Sequence, residues 1–194
     1  KGCMLEYGNI TAFCHWYKKY YHVDHSSKIA AYASFGFDAS MMDIYGAIAN
    51  GAELHIIPEE IRLDFIALQR YFEENGVTHS FMTTQVGRQF AMEMSCESLQ
   101  YLSIGGEKLV PMEPPKDYKF FNAYGPTECT IFTTVFEVDK YYNNVPIGKA
   151  LDNNKLYITD KEFIFDGLRG VVSDVFIDTV WNMIYKRYKV YENL

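Results

Sequence analysis

The feature that most constrains this chain is a repeated alternation of short apolar runs with helix-period segments, each closed by glycine or proline. Residues 28–34 read as a short buried strand, and Phe37-Asp38-Ala39-Ser40 as a turn that starts a helix over 41–49, which Gly51 stops. A strand over 53–58 closes at proline. It is followed by a helix over 63–75, with Phe65, Ile66, Leu68, Gln69 and Phe72 near its buried stripe and Gly76 as terminator. A strand over 77–82, a helix over 84–94 and a strand over 99–104 complete the series, ending at Gly105-Gly106. Repeated strand-helix-strand units predict an α/β fold, a mainly parallel sheet flanked by helices and joined by right-handed crossovers. In such sheets ligands gather where the strands end.

Outside that series, Asn9 is expected to cap a helix running to about residue 21, with Ile10, Phe13, Cys14 and Tyr17 on one face. From Lys119 onward the pattern is more strand-like, over 119–123, 130–138 and 155–159, which predicts a mixed-strand C-terminal part. Residues 162–194 change character. Val172, Val175, Phe176, Thr179, Val180, Met183, Ile184 and Tyr188 follow helical spacing, predicting a helix over 172–190. The division expected is a core over 1–161 and a separate tail over 162–194.

Charge and composition exclude several function classes. The 194 residues carry 18 Lys+Arg against 25 Asp+Glu, a net charge of −7, whereas nucleic-acid binding by counterion release needs clustered cations. With 48% hydrophobic residues the chain is globular rather than disordered. The four cysteines, Cys3, Cys14, Cys96 and Cys129, form no Cys-x-x-Cys pair, and the five histidines show no metal spacing. No stretch approaches the roughly 20 apolar residues of a membrane span, and the start lacks a signal-peptide pattern. A cytoplasmic protein without nucleic-acid or membrane partners is expected. Because the chain opens on Lys in what reads as the middle of a motif, its natural N-terminus is expected to lie further upstream.

The chemistry concentrates in Asn122-Ala123-Tyr124-Gly125-Pro126-Thr127-Glu128, just after a predicted strand. Gly-Pro forces a tight turn, so Thr127 and Glu128 can project from the sheet rim. A hydroxyl beside a carboxylate suits a phosphate and its Mg²⁺, and Tyr124 offers a flat face to a purine. Taken alone, the same run reads equally as a surface β-turn. It resembles, however, the Asn-x-Tyr-Gly-Pro-Thr-Glu motif of adenylation domains from non-ribosomal peptide synthetases, within the adenylate-forming, AMP-binding superfamily. Further motifs agree in order: Lys1-Gly2 with the end of the family's phosphate loop, Phe37-Asp38-Ala39-Ser40 with Phe-Asp-x-Ser, Gly105-Gly106-Glu107 with the adenine-side loop, and Pro146-Ile147-Gly148 with Pro-Ile-Gly.

That resemblance implies a two-step reaction, in which an amino acid's carboxylate attacks the α-phosphate of Mg-ATP and a carrier protein's phosphopantetheine thiol then takes the acyl group. By the same resemblance Thr127 and Glu128 are catalytic, with Glu128 holding Mg²⁺ and Thr127 meeting the nucleotide phosphate. Tyr124 stacks on adenine, and Gly105, Gly106 and Asn122 line its slot. A lone carboxylate at a strand-to-helix turn is ordinarily a helix cap; in the family the residue matching Asp38 binds the substrate's α-ammonium, which implies an α-amino acid. The side-chain pocket would comprise Ala39, Met42, Phe81, Ser103, Gly105, Ala123, Ile131 and Phe132. It is uncharged, so a neutral, apolar amino acid is expected.

The partners implied are peptidyl carrier and condensation domains of a parent synthetase. The family's full phosphate loop, its ribose-binding aspartate and the lysine of its mobile C-terminal part have no counterpart here, so the chain alone is expected to be inactive. The alternatives are a fragment of an acyl- or aryl-CoA ligase, against which Asp38 argues, and a non-catalytic remnant that acts as an interaction module through residues 162–194.

Overall fold

The computed structural model describes residues 3–152, 154–159 and 174–177. Four helices and nine strands are found among them: α1 (Tyr7–Tyr20), β1 (Lys28–Ala31), α2 (Ala39–Asn50), β2 (Glu53–Ile56), α3 (Phe65–Asn75), β3 (His79–Thr83), α4 (Thr84–Glu93), β4 (Tyr101–Gly105), β5 (Lys119–Tyr124), β6 (Thr134–Glu137), β7 (Lys149–Ala150), β8 (Leu156–Thr159) and β9 (Asp174–Ile177). Seven strands form one sheet in the order β2-β1-β3-β4-β5-β6-β7. The first five run parallel; β6 turns antiparallel to β5, and β7 antiparallel to β6. The α/β fold with a mixed C-terminal part is thus the one the alternation predicts.

Successive residues of each central strand point into different cores. Ile29, Phe81 and Phe121 join α1 and α2 on one face, while Ala30, Met82 and Phe120 join α3 and α4 on the other. Strands buried on both faces lose the polar alternation of a half-wet sheet, which is why they read as continuous apolar runs. From β1 the chain passes through α2 to β2 at the edge, then returns through α3 to β3 on β1's other side. The connections around β1 therefore lie on opposite faces, and a crevice is expected at the carboxyl ends of β1 and β3.

Local chemistry explains the helix limits. Gly51 and Gly76 end α2 and α3 in the left-handed conformation, at φ 70° and 66°, where a Cβ is unfavourable. The first helix begins at Tyr7, ahead of the expected Asn9 cap. Asn9 sits inside its first turn and its Oδ1 accepts from the Glu6 amide at 3.0 Å. In α3 the buried stripe is Leu68 and Phe72, one turn apart, so Ile66, expected inside, is 65% exposed.

Two C-terminal expectations are corrected. The strand expected over 130–138 is confined to Thr134–Glu137, because Thr130 and Ile131 take positive φ values of 65° and 72°. The helix expected over 172–190 is contradicted at Asp174–Ile177, which pairs antiparallel with Leu156–Thr159. Val175, Phe176 and Ile177 are strand formers, and the ladder with β8 satisfies their backbone. The rest of that helix, and Lys1-Gly2, lie outside the described residues.

Candidate functional site

Because β1, β3, β4 and β5 are parallel, their carboxyl ends share one edge of the sheet. Four segments of interest leave from that edge. Residues 32–38 follow β1, the Thr83-Thr84 junction follows β3, Gly106-Glu107 follows β4, and Gly125 to Ile131 follows β5. The resemblance-derived residues are therefore brought together by topology rather than by nearness in sequence.

Asp38 occupies the N-cap position of α2, yet its side chain makes no capping hydrogen bond. The ordinary explanation of a carboxylate there is thus not realised, and the group is left partly open to solvent at the end of a loop whose Phe35 and Phe37 are exposed, at 60% and 70%. At the carboxyl end of β5, Pro126 leads into a 3-10 turn, Thr127–Cys129, that lifts Thr127 and Glu128 into solvent. Neither Asp38 nor Glu128 forms an ion pair among the described residues. One side chain registers both. The Cys3 thiol is pushed up first by partial burial and then by the negative charges of Glu128 and Asp38, which arrive from two different loops.

Tyr124, 42% exposed, ends β5 beside this turn with its ring available to a flat ligand. Gly106, at φ 104°, has open space where a Cβ would stand, so backbone can be approached closely there. Gly105 is different: a Cβ on it would lie 2.8 Å from the Ala123 carbonyl. Asn122 is buried, and its Nδ2 donates to the Pro146 carbonyl at 2.8 Å, so its amide is spent on holding the 145–148 segment.

The eight pocket residues all fall on the α1/α2 side of the sheet or at the start of α2. Met42, Phe81, Ala123, Ile131 and Phe132 belong to one buried cluster with Ala39 packed against it. Ser103 and Gly105 share the strand face of Tyr101, which also packs there. The group is tightly filled. Phe81 and Phe132 pack with ring centroids 5.6 Å apart, Phe13 of α1 lies 6.0 Å from Phe132, and the Ser103 hydroxyl donates to Tyr21 Oη at 2.8 Å.

Three participants escape a reading of sequence. The Thr84 hydroxyl donates to the Glu107 carbonyl at 3.1 Å and accepts from the Glu107 amide at 3.2 Å, pinning the Gly105-Gly106-Glu107 turn to the start of α4. The only signal for it is a threonine pair where a strand meets a helix. The left-handed pair Thr130-Ile131 carries no glycine or asparagine to announce it. Asp43, a polar residue in an amphipathic helix, is wholly buried.

Comparison with known proteins places this geometry. A model described as AMP-binding enzyme matches residues 1–171. Bacitracin synthase 1 of Bacillus licheniformis is 39% identical over 162 residues, covering 84% of this chain and 3% of that protein. Surfactin synthase subunit 2 of Bacillus subtilis (strain 168) is 41% identical over 158 residues, covering 81% of this chain and 4% of its own. Among solved structures, the adenylation domain AlmE of Vibrio cholerae, in complex with glycyl-adenosine-5'-phosphate, superposes with a TM-score of 0.71 at 22% identity, over 84% of this chain and 32% of that one. The non-ribosomal peptide synthetase FmoA3 does so at 0.74 and 18%, over 84% of this chain and 19% of that one. The chain thus spans only a small part of the synthases it matches.

Proposed function

The chain belongs to the family of AMP-binding enzymes and is a partial adenylation domain of the non-ribosomal peptide synthetase kind; on that footing we propose that it contributes the amino-acid and adenine sides of an amino-acid-activating site. In the reaction proposed, an amino acid's carboxylate oxygen attacks the α-phosphorus of ATP, pyrophosphate leaves, and the aminoacyl-adenylate passes its acyl group to the phosphopantetheine thiol of a carrier domain. The observation that carries this reading is topological: the loops bearing Asp38 and Glu128 leave β1 and β5 at the same edge of one parallel sheet.

Each group is given a task its surroundings suit. Asp38, free of a capping bond, accepts the α-ammonium of a neutral amino acid. Tyr124 stacks on the purine while Gly106, with open space where a Cβ would stand, lets backbone approach its edge. Thr127 offers its hydroxyl to a phosphate oxygen. Magnesium, when bound, neutralises charge that grows on the phosphate oxygens. Among the described residues no three His, Cys, Asp or Glu side chains gather as a metal site. Glu128 would therefore hold the ion with phosphate and water completing its shell, the sparse protein ligation that Mg²⁺ accepts. Within the 194 residues no complete glycine-rich loop cradles the triphosphate, so turnover by the chain alone should be slight.

Calorimetric titration of the chain with Mg-ATP and with a panel of neutral L-amino acids tests the assignment. Asp38→Ala should abolish the amino-acid heat and spare the nucleotide; Glu128→Ala should remove the magnesium dependence of nucleotide binding and spare the amino acid. Equal loss of both ligands in either variant would overturn the division of labour. Exchange of labelled pyrophosphate into ATP at the rate of a complete enzyme would overturn the expected inactivity.

A further inference from the structure

Phe37 and Asp38 share one peptide unit, and two donors from Ser40 close on its oxygen. The Ser40 hydroxyl donates to the Phe37 carbonyl at 2.8 Å, and the Ser40 amide donates to the same oxygen at 3.1 Å. A peptide is planar, so a carbonyl held by two donors also fixes the N–H and Cα of the residue that follows it. That residue is Asp38. Ser40 itself, in the first turn of α2, is buried at 0% exposure. A serine is ordinarily exposed, because burial of its hydroxyl is costly unless the group is bonded. Here that bond is spent on the peptide ahead of Asp38.

The other end of the loop is tethered as well. Tyr32, the first residue past β1, is 7% exposed and packs into the cluster on the α3/α4 face. Its Oη donates to the Arg62 carbonyl at 2.6 Å, and the Arg62 guanidinium lies 5.8 Å from the centre of its ring. Arg62 follows the 3-10 turn Glu59–Ile61, and its Nε stands 3.3 Å from Glu59 Oε2. The root of the loop is thereby tied to the segment between β2 and α3. Between the two ends Ser34 to Phe37 are exposed. The bonds there are short-range: the Phe37 amide donates to the Ser34 carbonyl at 2.9 Å and the Gly36 amide to Ser34 Oγ at 3.4 Å. A segment of this kind samples many courses unless its ends are fixed.

We propose that Tyr32 and Ser40 are positioning residues, which hold the 33–37 loop at its two ends and so fix the place of the Asp38 carboxylate. Both side chains are buried, so neither is offered to a ligand, and each acts only through Asp38. The consequence for binding rests on the reading of Asp38 as the ammonium site; the anchoring itself does not. A charge-assisted bond from an ammonium depends on where the carboxylate stands. Loosening either anchor should therefore weaken an amino acid and leave the nucleotide alone.

Amide hydrogen exchange of the full chain in D₂O reads the anchoring with no ligand present. Tyr32→Phe and Ser40→Ala each remove one hydroxyl and keep the rest of the side chain. Each should speed exchange of the Phe37, Ser40 and Met41 amides, which bond to the Ser34, Phe37 and Asp38 carbonyls, by about fivefold or more, while β3 and β4 amides stay within about twofold. In calorimetric titrations each should weaken L-alanine by about fivefold or more and leave Mg-ATP within about twofold. Unchanged exchange at those three amides in either variant, or an equal rise in β3 and β4, would overturn the proposal. Faster exchange with undiminished L-alanine binding would overturn it too, since the loop would then be held without placing the carboxylate. Should one variant fail to fold, the other decides by the same measures. Absence of L-alanine binding by the parent chain would refute the ammonium reading alone, and the exchange result would still decide the anchoring.

Discussion

The loop after β1, residues 32–38, is exposed along most of its length. The loop after β5 is built the other way. Gly125 lies so close to the returning chain that a Cβ on it would stand 2.5 Å from the Ile131 carbonyl and 2.7 Å from the Phe132 Cα, and the Thr133 amide donates to the Tyr124 carbonyl at 2.7 Å. The loop that carries Glu128 is therefore locked by backbone, whereas the loop that carries Asp38 is largely open to solvent. The contrast teaches that two loops on one sheet edge can present similar groups while answering differently to mutation.

The largest effect is expected from Gly125→Ala. The new methyl meets backbone atoms, which cannot swing aside as a flexible side chain would, so the 131–133 segment must move. A loss of about 3 kcal/mol is expected, in the range for overpacking with backbone displacement, read as a lowered urea midpoint at unchanged slope. An alanine tolerated within about 0.5 kcal/mol would mean that the β5 loop is not backbone-locked.

The next effect is a pH dependence. Asp43 holds its proton more tightly folded than unfolded, because burial raises its folded pKa. Between its unfolded and folded values the native state binds more protons, so stability falls as pH rises through that window, by about 1.4 kcal/mol per pH unit, and the loss is complete above the folded value. Asp43→Asn, with nothing to titrate, should lose that component of the slope, while Gly125→Ala should retain it. Urea titrations across mildly acidic to neutral pH check this; parallel profiles for the parent and Asp43→Asn would refute it.

The same contrast marks what could be read from sequence. Strands buried on both faces and glycine-ended helices leave strong traces, so β1 to β5 and the stops at Gly51 and Gly76 were legible. The motifs at Asp38, Gly105-Gly106 and Tyr124 to Glu128 could be located, and parallel topology then brings them to one edge. Asp43 was not legible, since a carboxylate in an amphipathic helix is ordinarily placed in water. Thr130 and Ile131 misled in the opposite sense. Both are β-branched and so predict strand, and only the tight return of the chain past Gly125 turns them left-handed. At Val175 and Phe176 helical spacing and strand propensity competed, and pairing with β8 decided.

The smallest effect probes that left-handed pair directly. Thr130, at φ 65° and ψ 70°, closes the 3-10 turn that presents Glu128, and its hydroxyl is buried without a partner. Replacing it with glycine removes roughly 1 to 2 kcal/mol of left-handed strain and an unpaired hydroxyl worth about 1 to 3 kcal/mol. Against this stand about 1 kcal/mol of extra flexibility in the unfolded chain and about 0.8 kcal/mol for the lost methyl. The favourable terms exceed the opposing ones, so Thr130→Gly should be more stable by roughly 0 to 3 kcal/mol, where a glycine in an ordinary strand would destabilise. A loss above about 2 kcal/mol in the same urea assay would mean that Thr130 is held by side-chain packing rather than forced by the loop. The β5 loop would then be held by side chains rather than by backbone, and its contrast with the open β1 loop would narrow.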